Sequence, residues 1–368
     1  MKSTLLSLLA GSLIVSPVFA ACDGDLDIIL TEADDNTHVA ALAQILANAS
    51  IADVLDSANH PLTEASSWDY HEVKSALYWE NSDDFNDFET SKWIPQGITG
   101  SADGYAEGTV DGRDAWIVSW HIEDDSSARV TFIDKETNMY RHVLLVYPTE
   151  DDDFKEVAIH AGGITWYGDT LWVVDTSVGF RVFDLTNIWK VDSGDGVGKQ
   201  SDGTYTAAGY GYVLPQIRYY RAAEGPGFRF SYTSLDRTED VDTILAGEYQ
   251  TAGSGEITRF AKWELDPETQ RLVLDADGSA APSWAYCVGI PRMQGAVSAN
   301  GEFFISASNS GAAGDIWTWV PGETADKQSE FWPQGPEDLS YNGVADELYG
   351  LTEVAGGRWI MTYDVATI

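Results

Sequence analysis

The chain has 368 residues, with 59 Asp plus Glu against 21 Lys plus Arg and a formal net charge of −38. Such a surface repels nucleic acid and anionic lipid, so neither nucleic acid nor a membrane is expected as a partner, and it suits a salty medium that screens self-repulsion. The length holds one large all-β domain or two ordinary ones, and either buries a substantial core.

Residues 1–20, MKSTLLSLLAGSLIVSPVFA, combine an early Lys, an apolar stretch and small residues at Val18 and Ala20. That pattern predicts a signal peptide cleaved before Ala21 and a secreted protein, extracellular or periplasmic. A lipoprotein anchored at Cys22 is the alternative, and Phe19 counts against it. No later stretch has the roughly 18 uninterrupted apolar residues of a membrane span. Cys22 and Cys287 are the only cysteines; export makes a disulfide between them the expectation and two unpaired thiols the alternative.

Residues 21–90 read as a segment packed on the main domain. Val39, Leu42, Ile45 and Leu46, then Ile51, Val54 and Leu55, recur at three- and four-residue spacing, which predicts a pair of short amphipathic helices within 38–58. The stretch 59–90 is aromatic and acidic without a clean period and reads as a loop.

From 91 to 368 the pattern is strand and turn: AWIVSWH, ARVTFID, TLWVVDT, GFRVFDL, EFFISAS and RWIMTYD are separated by Gly, Asp and Asn. PQGIT (95–99), AGGIT (161–165), MQGAVS (293–298) and YGLTE (349–353) each pair a Gly with an apolar residue and a small or hydroxyl residue. Units of about four short strands lie near 93–148, 156–192, 212–266, 271–321 and 332–368. Repeats of roughly 40 to 55 residues describe a β-propeller, with five blades visible. A large sandwich is the alternative, since it shows the same turn spacing.

In a propeller each innermost strand opens beside the central channel, so Gln96, His160, Arg292, Gln294 and Tyr349 are expected near the axis. His121 ends the strand AWIVSWH, Trp166 and Tyr167 follow His160, and Arg181 lies in GFRVFDL. PQIRYYRA adds Arg218, Tyr219, Tyr220 and Arg221, a candidate island of positive charge for an anionic substrate; a strand that merely buries Tyr and exposes Arg is the other reading. For His160 the competing role is that of a hydrogen-bonded structural residue. Trp116, Trp172, Trp317 and Trp359 lie in strands and read as packing residues, not sugar platforms. GxSxG, HExxH, CxxC and EF-hand patterns are absent. GDGVGKQ (194–200) reads as an acidic surface loop and DADG (275–278) as a turn, weak as a calcium site. Glu337, Asp338 and Glu353 are the paired-carboxylate candidates for a glycoside hydrolase.

WIPQGIT, YRHVLLVYP, HAGGITWYGDTLWVVDT with GFRVFDL, and PEDLSY with LYGLTE together resemble a group of secreted bacterial and fungal propeller proteins, the lyases that cleave rhamnose from glucuronate in plant gum polysaccharides. The resemblance covers about residues 90–368. It implies a uronate-directed lyase that uses His, Tyr and Arg in the propeller mouth, in a propeller of up to seven blades.

β-Elimination at a uronate needs a cation or strong donors on the carboxylate, which acidify the C5 proton. Arg181 or Arg218 is expected on the carboxylate, because the guanidinium fork binds it bidentately. His121 or His160 is expected as base and Tyr167 or Tyr219 as acid, with Gln96, Arg292, Trp166 and Tyr349 contacting substrate. Calcium is the one cofactor left open, in place of or beside the Arg; nucleotide, flavin and haem are not expected. The partner is then a uronate-containing poly- or oligosaccharide, the protein a monomer, and the alternative a non-catalytic propeller that binds glycan or protein.

Overall fold

The computed structural model describes the backbone of Phe19–Ala21 and residues 28–223, 227–254 and 257–368. Among them are five antiparallel meanders. Their first strands are β1 (Trp93–Gly100), β2 (Ile164–Tyr167), β3 (Tyr232–Asp236), β4 (Met293–Ala299) and β5 (Pro336–Asn342), each buried along nearly its whole length. β1 packs against β2 and β5, β3 against β2 and β4, and β4 against β5. The five therefore close into a ring around one axis, the β-propeller that the all-β pattern predicts.

The repeated glycines explain how that ring closes. A Cβ on Gly97 would lie 2.7 Å from the backbone nitrogen of Ile164, one on Gly163 2.5 Å from that of Thr233, and one on Gly295 2.7 Å from that of Leu339. Each glycine is the point where one inner strand's backbone touches the next, and any side chain there would push two sheets apart. Gly350 departs from this expectation. It lies on Glu347–Thr352, the second strand of the last meander, under the ring of Trp332. On β5 the residue that meets the neighbouring inner strands is Asp338. It is fully buried, and its Oδ2 accepts from the backbone N–H of Ile164 on β2 (3.1 Å) and of Ile98 on β1 (3.4 Å). The carboxyl thus ties three sheets at the axis.

The strand Tyr212–Ala222, expected to open the third unit, is instead the outer strand of the second meander. It pairs antiparallel with Gly179–Asp184 and parallel with the last strand of the first meander, Met139–Glu150. A first and a fourth strand both alternate between two packed faces, so their patterns look alike.

The N-terminal segment holds the two expected helices, α1 (His38–Leu42) and α2 (Ile51–Asp56). Ser50 and Asp53 form a capping box that starts α2, each side chain accepting from the other's backbone N–H. The stretch 59–90 is more than a loop. Its strands Thr63–Glu64 and Ser75–Tyr78 extend the last meander beyond Trp359–Asp364, so a strand that precedes β1 completes the last sheet and locks the ring. Four residues are too few to show a period, which hid Ser75–Tyr78 from sequence reading. The same stretch is pinned by Asp87, whose buried carboxylate accepts from Arg129 Nη2 (2.7 Å) and the Tyr140 hydroxyl (2.9 Å) and lies 2.7 Å from His142 Nε2. Burial alone would raise the Asp87 carboxyl, but Arg129 and His142 outweigh it and hold the group well below the usual carboxylate range.

Cleavage before Ala21 and pairing of Cys22 rest on residues mostly outside those described. Phe19–Ala21 edges the third meander, with Ala20 opposite Cys287 on Trp284–Val288. Among the described residues no helix is long and apolar enough to cross a membrane.

Asp338→Ala leaves buried backbone N–H groups of two neighbouring sheets unpaired, at about 1–3 kcal/mol each. Chemical denaturation is therefore expected to show a loss of about 3 kcal/mol or more with an unchanged denaturant slope, whereas Gly350→Ala, off the axis, should cost less.

Candidate active site

The mouth where the inner strands begin gathers the chemistry-bearing residues. His121 ends Ala115–Ile122, the second strand of the first meander, and stands opposite Ile94 of β1. His160 precedes β2 by four residues. Their rings lie 4.0 Å apart between centroids. Asp125, in the turn after His121, reaches both: its Oδ1 is 2.6 Å from His121 Nδ1 and 3.1 Å from His160 Nδ1. His121 Nδ1 also donates to the Ile122 carbonyl at 2.8 Å. His160 Nδ1 faces Asp125, which leaves Nε2 as the ring nitrogen not engaged by that carboxylate, and its side chain is 44% exposed. His121 is buried beneath it. Burial and then the neighbouring His160 push the His121 imidazole down to about 4, so it is neutral at neutral pH.

The backbone at this mouth is strained. Asp125, Ala161 and Arg292 hold φ of 57°, 55° and 58°, the left-handed region that side chains disfavour. Strain of this kind clusters at functional sites. The Ala161 carbonyl is held by the Ser119 hydroxyl at 2.8 Å, which fixes the loop carrying His160 against the first sheet.

A second group sits at the heads of β1, β4 and β5. Gln96 Nε2 donates to Glu353 Oε2 at 2.9 Å, and Gln294 Nε2 donates to Glu337 Oε1 at 2.8 Å. Glu337 also hydrogen-bonds Glu353. Burial first, then the charges of Glu353 and Asp338, push the Glu337 carboxyl well above its ordinary range. It lies beside the half-buried Glu353, and a carboxyl raised in this way by burial and a like-charged neighbour has the environment of a general acid. Deeper on the axis, burial raises Asp338 against the pull of the N–H groups of Ile164, Leu339, Ile98 and Thr233.

Cations complete the mouth. Arg229 and Arg292 stand just before β3 and β4, and neither guanidinium has an ion-pair partner among the described residues. In a chain of net charge −38, these form the positive island. The island expected at 218–221 does not serve. Arg218 is buried and paired with Asp35 at 2.9 Å, Tyr220 donates to Glu32 at 2.6 Å, and Arg221 lies over the Tyr219 ring, all on the outermost strand of the second meander. Arg181, on the third strand, is taken up by Asp175 and Gln216.

His121 and His160 meet around Asp125, while Gln96 lies on β1 and Arg292 directly before β4. The mouth does not include Arg181, Arg218 or Tyr219. Tyr167 and Trp166 lie at the far end of β2: Tyr167 lines a cavity there, while the buried Trp166 donates to the Gly168 carbonyl and packs on Gly104. Tyr349 faces Ser340 across the sheet, buried against Trp116, its hydroxyl within reach of Asn342 and Lys135. Asp125 and Arg229 were not singled out from sequence. For Arg229 the available signal was its place three residues before an inner strand; Asp125 sits in the hairpin turn after the second strand of the first meander, which no sequence pattern marks as part of the mouth.

His121, Asp125 and His160 lie close enough to share one ion. A set of two imidazoles and one carboxylate suits a zinc-type cation better than calcium, which prefers oxygen ligands.

No protein-family model and no curated protein matches the chain. Several solved structures are similar to it at low identity. A gluconolactonase from Xanthomonas campestris has 9% identity and TM-score 0.36, covering 83% of this chain and 98% of that one. The GH43_1 enzyme from Xanthomonas citri, complexed with xylotriose, has 9% identity and TM-score 0.37, covering 89% and 92%. The PQQ domain of pyranose dehydrogenase from Coprinopsis cinerea has 10% identity and TM-score 0.35, covering 94% and 95%.

A raised folded-state pKa stabilises below the unfolded value and loses that stability as pH rises towards the folded value. Glu337→Gln keeps the bond to Gln294 and removes this dependence. Relative to wild type the variant should therefore gain stability steadily from pH 5 to pH 8, read from denaturation midpoints. A constant difference across that range would place an ionised Glu337 in the native state.

Proposed function

We propose that the protein is a secreted, monomeric carbohydrate-active enzyme that cleaves a uronate-containing glycan by β-elimination at this mouth. The observation that supports the reading is the His121–Asp125–His160 cluster at the end of the axis where Gln96, Gln294, Glu337 and Glu353 also hydrogen-bond, on a strongly acidic protein whose Arg229 and Arg292, before the inner strands β3 and β4, lack ion-pair partners among the described residues. Arg292, with Arg229, neutralises the uronate carboxylate, a role for which the paired Arg181 and Arg218 are not free. His160 Nε2 takes the C5 proton, with Asp125 orienting the ring and stabilising the imidazolium. The electron pair of that C–H bond forms the C4–C5 double bond while the C4–O bond breaks. The departing oxygen takes a proton from the Glu337–Glu353 pair, delivered by the more accessible Glu353. His121 acts as a positioning residue beneath His160. Glycoside hydrolysis fits less well, because its two carboxyl groups stand about 5 Å or more apart, whereas Glu337 and Glu353 hydrogen-bond to each other.

The test incubates purified protein with a panel of uronate polysaccharides and follows the ultraviolet absorbance of the unsaturated uronate. Wild type should give a rise that EDTA leaves intact. His160→Ala and Glu353→Gln should each lower the rate by about 10²–10⁴-fold with unchanged thermal melting. New reducing ends without absorbance would replace elimination with hydrolysis. Loss of activity in EDTA and its return with zinc would make His121, Asp125 and His160 ligands and remove His160 as base. Glycan binding without turnover would leave a binding propeller.

A further inference from the structure

A cavity among the described residues lies away from this mouth. It lies at the opposite end of the axis, about 930 Å³ in volume, where all five inner strands or the turns that follow them contribute to the wall. Asp338, fully buried and held by backbone of neighbouring strands, lies on the axis between the two ends.

We propose that this far cavity is a second, non-catalytic binding site for a neutral sugar unit. Three features point to that ligand. The first is Arg237, whose donors are poorly used. Its Nε is buried without a hydrogen-bond partner, and its polar contacts, to Asp242 Oδ2 and to the Gly104 carbonyl, are both 3.5 Å long. A guanidinium held 5.1 Å over the Tyr167 ring with free N–H groups calls for a ligand oxygen at the cavity wall. The second is the carboxylate beside it. Asp242 accepts from the Tyr167 hydroxyl at 2.8 Å with Oδ2 and keeps Oδ1 for a further donor. A donor fork and an acceptor side by side match two adjacent sugar hydroxyls, one accepting from Arg237 and the other donating to Asp242.

The third is the apolar lip. Val344 is 64% exposed at the rim, and Tyr105 and Tyr341 line the same wall, their hydroxyls tied to Asp169 (3.3 Å) and Asp346 (2.9 Å). Apolar and aromatic surface of this kind covers the C–H face of a pyranose. With Asp103, Asp242 and Asp346 around a single Arg, the wall carries more acid than base. It therefore disfavours a uronate and selects a neutral sugar, the reverse of the catalytic mouth.

Isothermal titration and saturation-transfer NMR on the full chain, with galactose, arabinose and maltose as probes and glucuronate as the anionic control, test this. At least one neutral sugar is expected to bind while glucuronate does not. Arg237→Gln and Val344→Asp should each weaken that binding by about tenfold or more; Val344 is exposed, so its loss cannot be ascribed to unfolding. His160→Ala should bind the neutral sugar as wild type does, which separates this site from the proposed active site. The proposal is overturned if no neutral sugar binds, if glucuronate binds equally well, or if both variants bind like wild type with unchanged melting.

Discussion

The propeller turns on one buried carboxyl. Asp338 sits where β5 meets β1 and β2, accepting from the backbone of both. Inner strands near an axis expose N–H groups that cannot pair within their own sheet, and an unpaired buried N–H is costly. One side chain reaching across the axis answers several of them together. It can do so only because the other inner strands carry Gly97, Gly163 and Gly295 at their points of contact, where a Cβ would collide with neighbouring backbone. The glycines and Asp338 are two halves of one packing solution: three strands give up a side chain, and one supplies a carboxyl.

Closure of the ring is a second, separate problem, because a circle of sheets has no covalent seam. Here Ser75–Tyr78 completes the sheet that Trp359–Asp364 leaves open, and the Asp87 cluster nails the following residues to the first sheet. Removing one partner of such a buried cluster leaves an uncompensated charge, so its value lies in specifying where the strand docks more than in net stability. Arg358 joins the two devices, since it donates to the Asp87 carbonyl from the turn before the last strand.

How much of this was legible in sequence depended on local pattern. The strand class and the two short helices followed from runs of β-branched and aromatic residues and from apolar positions at three- and four-residue spacing. Three things did not follow. The last repeat was misplaced onto Gly350 because Asp338 replaces glycine on β5, and no composition rule equates the two. Tyr212–Ala222 passed for an inner strand because both of its faces are packed. Tyr167 was grouped with His160 on the strength of a seven-residue separation, yet an extended chain rises about 3.3 Å per residue, which carries Tyr167 some 20 Å or so to the other end of the axis. Proximity in sequence along an inner strand means distance in the propeller.

That last geometry has a consequence for charge. Each inner strand delivers the residues before it to one mouth and those after it to the other, so the two ends can be tuned independently by short loops. Before β3 and β4 stand Arg229 and Arg292, free of ion pairs among the described residues; after β3 stands Arg237, already facing Asp242. In lacking such a partner Arg229 and Arg292 differ from Arg113, Arg129, Arg181, Arg218, Arg259 and Arg271, each paired with a carboxylate. At the end of the axis that carries the imidazole pair, Arg229 and Arg292 before β3 and β4 stand against the carboxylates Asp125 and Glu353, so the local arrangement of charge, and not the net charge alone, decides which ligands approach there.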